Sequence, residues 1–507
     1  MKKGTFILFL LLIPFIFTQM AGAAPQGTLR VALSTFPNAL YVALSDERNA
    51  HNAAWQLYDS LVWVNDEGKL EPALAESWTV SEDGRTYTFK LRKGVVFHNG
   101  EPFTADSVVL TWNLMKQKDI KWSEKFDFVK DVIKIDDYTV AISTPEPSPL
   151  LMRVIATFWG MIPPKYFKEK GLQGFLNHPV GTGPFRFVEW KKGDRLIYEA
   201  NPTYWDKEKY PKVQNLIFRP IPESATRLAA IKTGEVDIVG RLSAEEAAQL
   251  KGQPKVKVLT YPKDRIFYVA FNNLTTGKDK PTIDPRVRLA MNYAVDVDAI
   301  IDALFDGQGR PATGLVMSAD FGYDKAAKPY GYDPAKAKAL LKEAGYPDGF
   351  KIKMAGPTGA YTNFEQVLES IQGYLKDVGI ETDLSLMESG KYWDLEAKKE
   401  LPPLFGDSWS ETNGESLERL KGALGGTDAS YSSWEDPKIK KYLADIGSTV
   451  DDAKREKLYI DLQRYMMENP PFIYLYEPMA FEAISTKVKG YHPRPAEDYY
   501  LKTVSVE

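Results

Sequence analysis

The chain has no cysteine. That excludes disulfides, cysteine nucleophiles, thiolate metal centres and a lipid anchor on an N-terminal cysteine. Histidine is scarce as well. Four of them, at positions 51, 98, 178 and 492, stand far apart and in unrelated contexts, which gives no metal-ligand spacing. No H-E-x-x-H, G-x-S-x-G or Walker A sequence occurs, so the common signatures of zinc hydrolases, serine hydrolases and P-loop enzymes are missing. Carboxylates are plentiful, but no spacing marks a paired acid and base. The net charge of −4 offers no basic surface for nucleic acid. What is present is ordinary for a globular protein, 44% apolar and 26% charged over 507 residues. That length exceeds what one hydrophobic core organises, so several domains are expected.

The N-terminus reads as an export signal. Lys2 and Lys3 form a basic start, "FILFLLLIPFIF" (6–17) is an apolar stretch too short to span a bilayer comfortably, and "AGAA" (21–24) offers cleavage after Ala23. No later segment is apolar enough to cross a membrane. Residues 1–23 are therefore expected to be a signal peptide, and the mature chain to be free in the periplasm.

In the mature chain, "TLRVALS" (28–34) alternates as a strand. Residues 47–61 follow at helical period, with Ala50, Ala53, Ala54, Leu57 and Leu61 on one face. From about Trp63 to Gln173 the pattern changes to short strands and turns. "VGTGPFRFVEWKKGDRLIYEANPTYW" (180–205) is a glycine-rich turn feeding a hairpin. Because a strand follows Gly181 and Gly183, these glycines predict tight backbone geometry rather than phosphate binding. Ser243 and Glu246 form a capping box. One helix is predicted over 284–307, with Asp284 as its cap and Pro285 in its first turn, and Asp333 and Pro334 repeat that grammar. From "KIKMAG" to "PLFGDSW" strands and helices alternate, which predicts a mainly parallel sheet. An amphipathic helix, "AKREKLYIDLQRYMMEN", then leads to "PFIYLYEP" and a short basic tail.

"LRKGVVFHNGEPFTADSVVLTWN" (91–113) gathers His98, Glu101 and Asp106. The "HNG" turn holds the first two, and Thr104 caps a helix whose first turn carries Asp106, where a carboxylate favours the helix dipole. Scaffold accounts for all three without chemistry.

Several long, collinear blocks resemble the peptide/nickel-type solute-binding proteins of bacterial ABC importers, the dipeptide/oligopeptide/glutathione-binding family. They are "LAESWTVSEDGRTYTFKLRKGVVFHNGEPFTADSVVLTWN", "GTGPFRFVEWKKGDRLIYEANPTYW", "GEVDIV", "FNN…DPRVRLAMNYAVDVDAII" and "YDPAKAKALLKEAGYPDGF". The resemblance implies an α/β, two-lobed periplasmic-binding-protein fold with crossing hinge strands and an extra α+β domain inserted in the first lobe. The implied division is lobe I over 24–62, 175–264 and 479–507, the inserted domain over 63–174, and lobe II over 265–478. It also implies a ligand trapped between lobes, an ABC permease complex as partner, a monomer, no cofactor and no catalysis.

In open α/β sheets ligands sit beyond the carboxyl ends of strands. That rule selects Thr35, Phe36 and Asn38 after the first strand, Arg241 after "EVDIV", Thr358 and Tyr361 after "KIKMA", and Trp409, Ser410 and Thr412 after "PLFGD". Trp159 and Trp393 are further aromatic candidates. Peptide-binding members of the family commonly hold the free amine with an aspartate, where Thr412 stands here. They hold the carboxylate with an arginine in the region of Ala355 and Gly356. Asp407, Glu411 or Arg265 are the possible substitutes. The "SWSETNGES" loop resembles the glutathione-binding branch. The expected function is capture of a peptide or peptide-like solute for an importer. An oligosaccharide or other amphipathic solute, a metal chelate, and a secreted hydrolase are the alternatives.

Overall fold

The computed structural model describes residues 24–45, 47–65, 68–117, 120, 123–410 and 414–507. The expected signal peptide, residues 1–23, and Thr412 lie outside the described residues.

Two large sheets organise the molecule into two lobes. The first runs in the order Val256–Pro262, Tyr476–Ser485, Ile238–Leu242, Thr28–Leu33, Asn215–Pro220, Arg195–Ala200 and Phe185–Lys191, with Gly309–Pro311 also paired to Tyr476–Ser485. The second runs Ile380–Glu388, Phe350–Thr358, Leu404–Trp409, Ile266–Phe271 and Phe472–Tyr474. Its first three strands are parallel, as the alternating strands and helices predict, but Ile266–Phe271 runs antiparallel to Leu404–Trp409. A four-stranded antiparallel sheet, Ala75–Val80, Thr86–Leu91, Thr139–Ser143 and Asp131–Asp136, shares one continuous core with the first lobe. The second lobe has a core of its own. The chain crosses between lobes at Lys263–Arg265 and along Tyr476–Ser485. That last strand pairs with Gly309–Pro311 at one end and with Val256–Pro262 at the other.

Local grammar sets many helix ends. Ser243 and Glu246 close a capping box on Ala244–Leu250. Asp284 and Asp333 each accept a backbone N–H at the start of a helix that carries proline in its first turn. Two helices differ from expectation. The 284–307 stretch is two helices, Pro285–Ala294 and Val297–Phe305, because Asp296 accepts from Ala299 N and caps a second one. The helix expected over 47–61 covers only Arg48–Ala54. Beyond it the Gln56 and Leu57 carbonyls accept from Phe185 N and Gly183 N instead of continuing the helical ladder. This contact also explains the glycines: a Cβ at Gly181 would stand 2.0 Å from the Leu57 carbonyl oxygen.

The His98 region is scaffold. His98 accepts from Gly181 N at 3.2 Å through Nδ1, and its Nε2 lies 3.1 Å from Gly183 O. Burial lowers its pKa to about 4. Glu101 accepts from Lys165 N and Tyr166 N at the start of the Pro164–Asn177 helix. Asp106 pairs with Lys134 at 3.0 Å.

Candidate functional site between the lobes

The two crossing points place both lobes around a cavity of about 170 Å³. A single water needs roughly 10–15 Å³ by a comparable measure, so the space is sized for part of a solute. From the first lobe, Arg48, Asn52, Trp55 and Gln56 come from the short helix and its end, and Trp63 from the strand that follows. Asp264 comes from the crossing point itself, and Met317 and Asp320 from the second lobe. The C-terminal tail contributes Arg494, Asp498, Tyr499, Tyr500 and Lys502. Trp55 and Trp63 meet edge to face with ring centroids 5.4 Å apart. The wall is thus aromatic with charged groups set into it, the usual make-up of a small-molecule site.

The carboxylates of the wall are engaged. Arg419 reaches Asp320 at 2.5 Å and Asp264 at 2.8 Å, and Arg494 reaches Asp498 at 2.6 Å. Lys502 is different. It is 3% exposed, and its ammonium lies over the rings of Tyr500, Trp63 and Tyr204 at 4.8, 5.1 and 5.8 Å. Burial lowers its pKa to about 8, with Asp59 acting in the opposite sense.

One contact beside the cavity spans the lobes. Arg153, on the Leu151–Phe158 helix, meets Glu415 with Nε 2.6 Å from Oε2, and both side chains are fully buried. Arg455 Nη2 stands 3.3 Å from the same oxygen, and Tyr459 donates to Oε1 at 2.8 Å. Arg153 also donates to Gly68 O at 2.6 Å.

None of the described residues selected from sequence lines this cavity. Some gather at a strand-end cluster in the second lobe. Arg265, next to Asp264, donates to Ser408 Oγ at 2.6 Å and to Ser410 Oγ at 3.2 Å, and its guanidinium lies 5.4 Å from the Tyr361 ring centroid. Tyr361 meets Trp393 edge to face. Thr358 ends the Phe350–Thr358 strand. Trp409 is half-buried, packed on Gly422 and edge-on to Tyr431. In the first lobe, Thr35 accepts from Asn49 Nδ2 at 2.8 Å, Asn38 accepts from Ser45 Oγ at 2.7 Å, and Phe36 packs edge-on to Trp190. Arg241 sits at the end of its strand with φ +58°, 3.8 Å from Glu497.

Two candidates are core residues. Trp159 is fully buried and stacked on Trp112 with centroids 5.9 Å apart. Asp407 is 4% exposed; it accepts from Tyr268 Oη at 3.3 Å and shares a hydrogen bond with Glu396. Burial raises both carboxyls; the charge of Asp407 raises Glu396 further, while the hydrogen bond from Glu396 favours the ionised Asp407, so the pair keeps a proton on Glu396. The native state then holds a proton that the unfolded chain releases above its ordinary carboxylate range, so stability falls as pH rises through that window. Glu396→Gln should flatten the fall in melting temperature between about pH 5 and pH 9. An unchanged slope would show that the pair does not share a proton.

The tail was the part missed from sequence. Its signal, "EDYYLK", is two adjacent tyrosines among charges just before the C-terminus, a density that a solvated basic tail does not need.

The bacterial extracellular solute-binding proteins, family 5, match residues 69–431. The glutathione-binding protein GsiB of Pectobacterium atrosepticum is 33% identical over 460 residues, covering 88% of each chain. Among solved structures, HbpA2 of Haemophilus parasuis superposes with a TM-score of 0.87 at 28% identity, covering 95% of this chain and 100% of the other. The periplasmic binding protein DppA of Helicobacter pylori in complex with the peptide STSA matches at 0.68 and 26% identity, covering 95% and 98%. With the family's model spanning most of its length over the two-lobed fold described above, the chain belongs to family 5 of the bacterial extracellular solute-binding proteins.

Proposed function

We propose that this protein captures a peptide-like solute between its two lobes in the periplasm and delivers it to an ABC importer, without chemistry on the solute. The observation that carries this reading is the aromatic, charge-bearing cavity walled by both lobes at the crossing strands. The glutathione-binding relatives and the peptide held by the Helicobacter pylori neighbour support a ligand of that class. The division of the chain into lobe I (24–62, 175–264, 479–507), inserted domain (63–174) and lobe II (265–478) belongs to the same proposal. So does a ligand surface that continues onto Thr35, Phe36, Asn38, Arg241, Thr358, Tyr361, Trp393, Trp409, Ser410 and Thr412.

Calorimetric titration of ligand-stripped protein with glutathione, glutathione disulfide and tri-alanine tests this reading. At least one should bind in a 1:1 ratio and be recovered unchanged. Cleavage of a bound peptide would favour the hydrolase alternative, and binding of none would remove peptide-like solutes from consideration.

Export follows from the N-terminal sequence. Intact-mass measurement of protein from the native host should give a chain beginning at or near Ala24 without lipid. A retained leader would contradict export by cleavage.

A further inference from the structure

Lys502 is a buried cation with hydrogen-bonding capacity left over. An ammonium carries three N–H donors. Its recorded hydrogen bond among the described residues goes to Tyr204 Oη at 3.3 Å. That hydroxyl donates onward to Asp59 Oδ1 at 3.1 Å. Asp59 is engaged by other donors as well: Oδ2 accepts from Trp205 Nε1 at 2.8 Å and from Thr182 Oγ1 at 3.1 Å. The negative charge that balances Lys502 therefore stands one hydroxyl away and does not occupy its donors. The rings around the ammonium include Trp63 and Tyr500, both of which line the cavity. Aromatic faces attract a cation but accept no strong hydrogen bond from it.

Asp264 and Asp320 share Arg419, and Asp498 is held by Arg494. Arg48 lines the cavity, with no carboxylate recorded on it among the described residues. Among the described residues, Arg48 and Lys502 are thus the wall's cations with no carboxylate recorded in direct contact. A buried ammonium whose donors are only partly used is costly, and a carboxylate on the solute would take up the remainder.

We propose that Lys502 anchors a carboxylate of the solute at the hinge end of the cleft, so that the protein selects anionic peptide-like solutes over their neutral counterparts. The proposal rests on the functional reading above. The competing role for Lys502 is purely structural, as the counterion of Asp59. The two differ in whether Lys502 distinguishes an acid from its ester.

The experiment titrates wild type, Lys502→Met and Lys502→Arg with glutathione, glutathione disulfide, tri-alanine and their ethyl esters, and records the melting temperature of each ligand-free protein. Wild type should prefer an acid over its ester by about 10- to 100-fold, the scale of a hydrogen bond to a charged group. Lys502→Met should lose that preference while binding the ester as wild type does, and Lys502→Arg should keep most of it. If Lys502→Met fails to fold, the acid-over-ester ratio of wild type set against that of Lys502→Arg still decides, because an anchor predicts a large ratio in both. Equal affinity of wild type for acid and ester overturns the proposal and leaves the solute-binding reading standing. So does an undiminished preference in folded Lys502→Met. Failure of wild type to bind any of the acids overturns both.

Discussion

Glu415→Ala should cost about 3–5 kcal/mol of stability, the range for breaking a buried ion pair by removing one partner. The carboxylate is fully buried and faces Arg153 at 2.6 Å, Arg455 at 3.3 Å and the Tyr459 hydroxyl at 2.8 Å. Removing it leaves two guanidinium groups in a space closed to water. Arg153 keeps Gly68 O and Arg455 keeps Asp452, an exposed partner at 2.8 Å, but neither supplies charge inside the interface. Replacing Arg153 alone should cost less, because Arg455 and Tyr459 still satisfy Glu415. Denaturant titrations of wild type, Glu415→Ala and Arg153→Met measure both terms. A change below about 1 kcal/mol for Glu415→Ala, the level of an exposed pair, would mean that water reaches this interface.

Trp409→Ala should weaken solute binding by about 2 kcal/mol or more, the scale of an interface hot spot. The residue ends the Leu404–Trp409 strand, where the geometry of α/β sheets places ligand contacts. Ser410, the next residue, is held by Arg265. Its indole is half-buried: it rests against Gly422, where a Cβ would approach within 2.2 Å of the ring, and leaves the remainder accessible. An indole so placed offers a face for stacking and one N–H donor. Because only part of the ring is packed, the ligand-free mutant should lose less than the roughly 3–5 kcal/mol of a fully buried tryptophan. Titration and melting curves on the same preparations separate the two effects. Wild-type affinity in the mutant would remove Trp409 from the site.

Much of the fold was legible because it is written in local chemistry. Asp284 with Pro285, Asp333 with Pro334, and Ser243 with Glu246 announce helix starts within four residues of sequence, and each forms as read. His98, Glu101 and Asp106 read as scaffold, and each bonds to backbone or to a neighbouring lysine. The errors arise where distant chain segments compete for the same backbone. The helix expected to reach Leu61 ends at Ala54 because Gly183 and Phe185, more than a hundred residues away, take its carbonyls. Trp159 was a candidate by aromatic type and Asp407 as a charge that could replace a missing anchor, but residue type does not say whether a side chain faces the cleft or the core. The cavity wall was the least legible part. It draws on a seven-residue helix, a crossing point and the C-terminal tail, and no periodicity connects them.

Capture of solute should proceed by closure of the two lobes around it. The most direct test is small-angle scattering of ligand-stripped protein with and without a saturating concentration of the best-binding solute from the titration series. The complex should have a smaller radius of gyration, together with stabilisation of roughly 2.7 kcal/mol at about a hundred times the dissociation constant. An unchanged radius of gyration with the site saturated would contradict it.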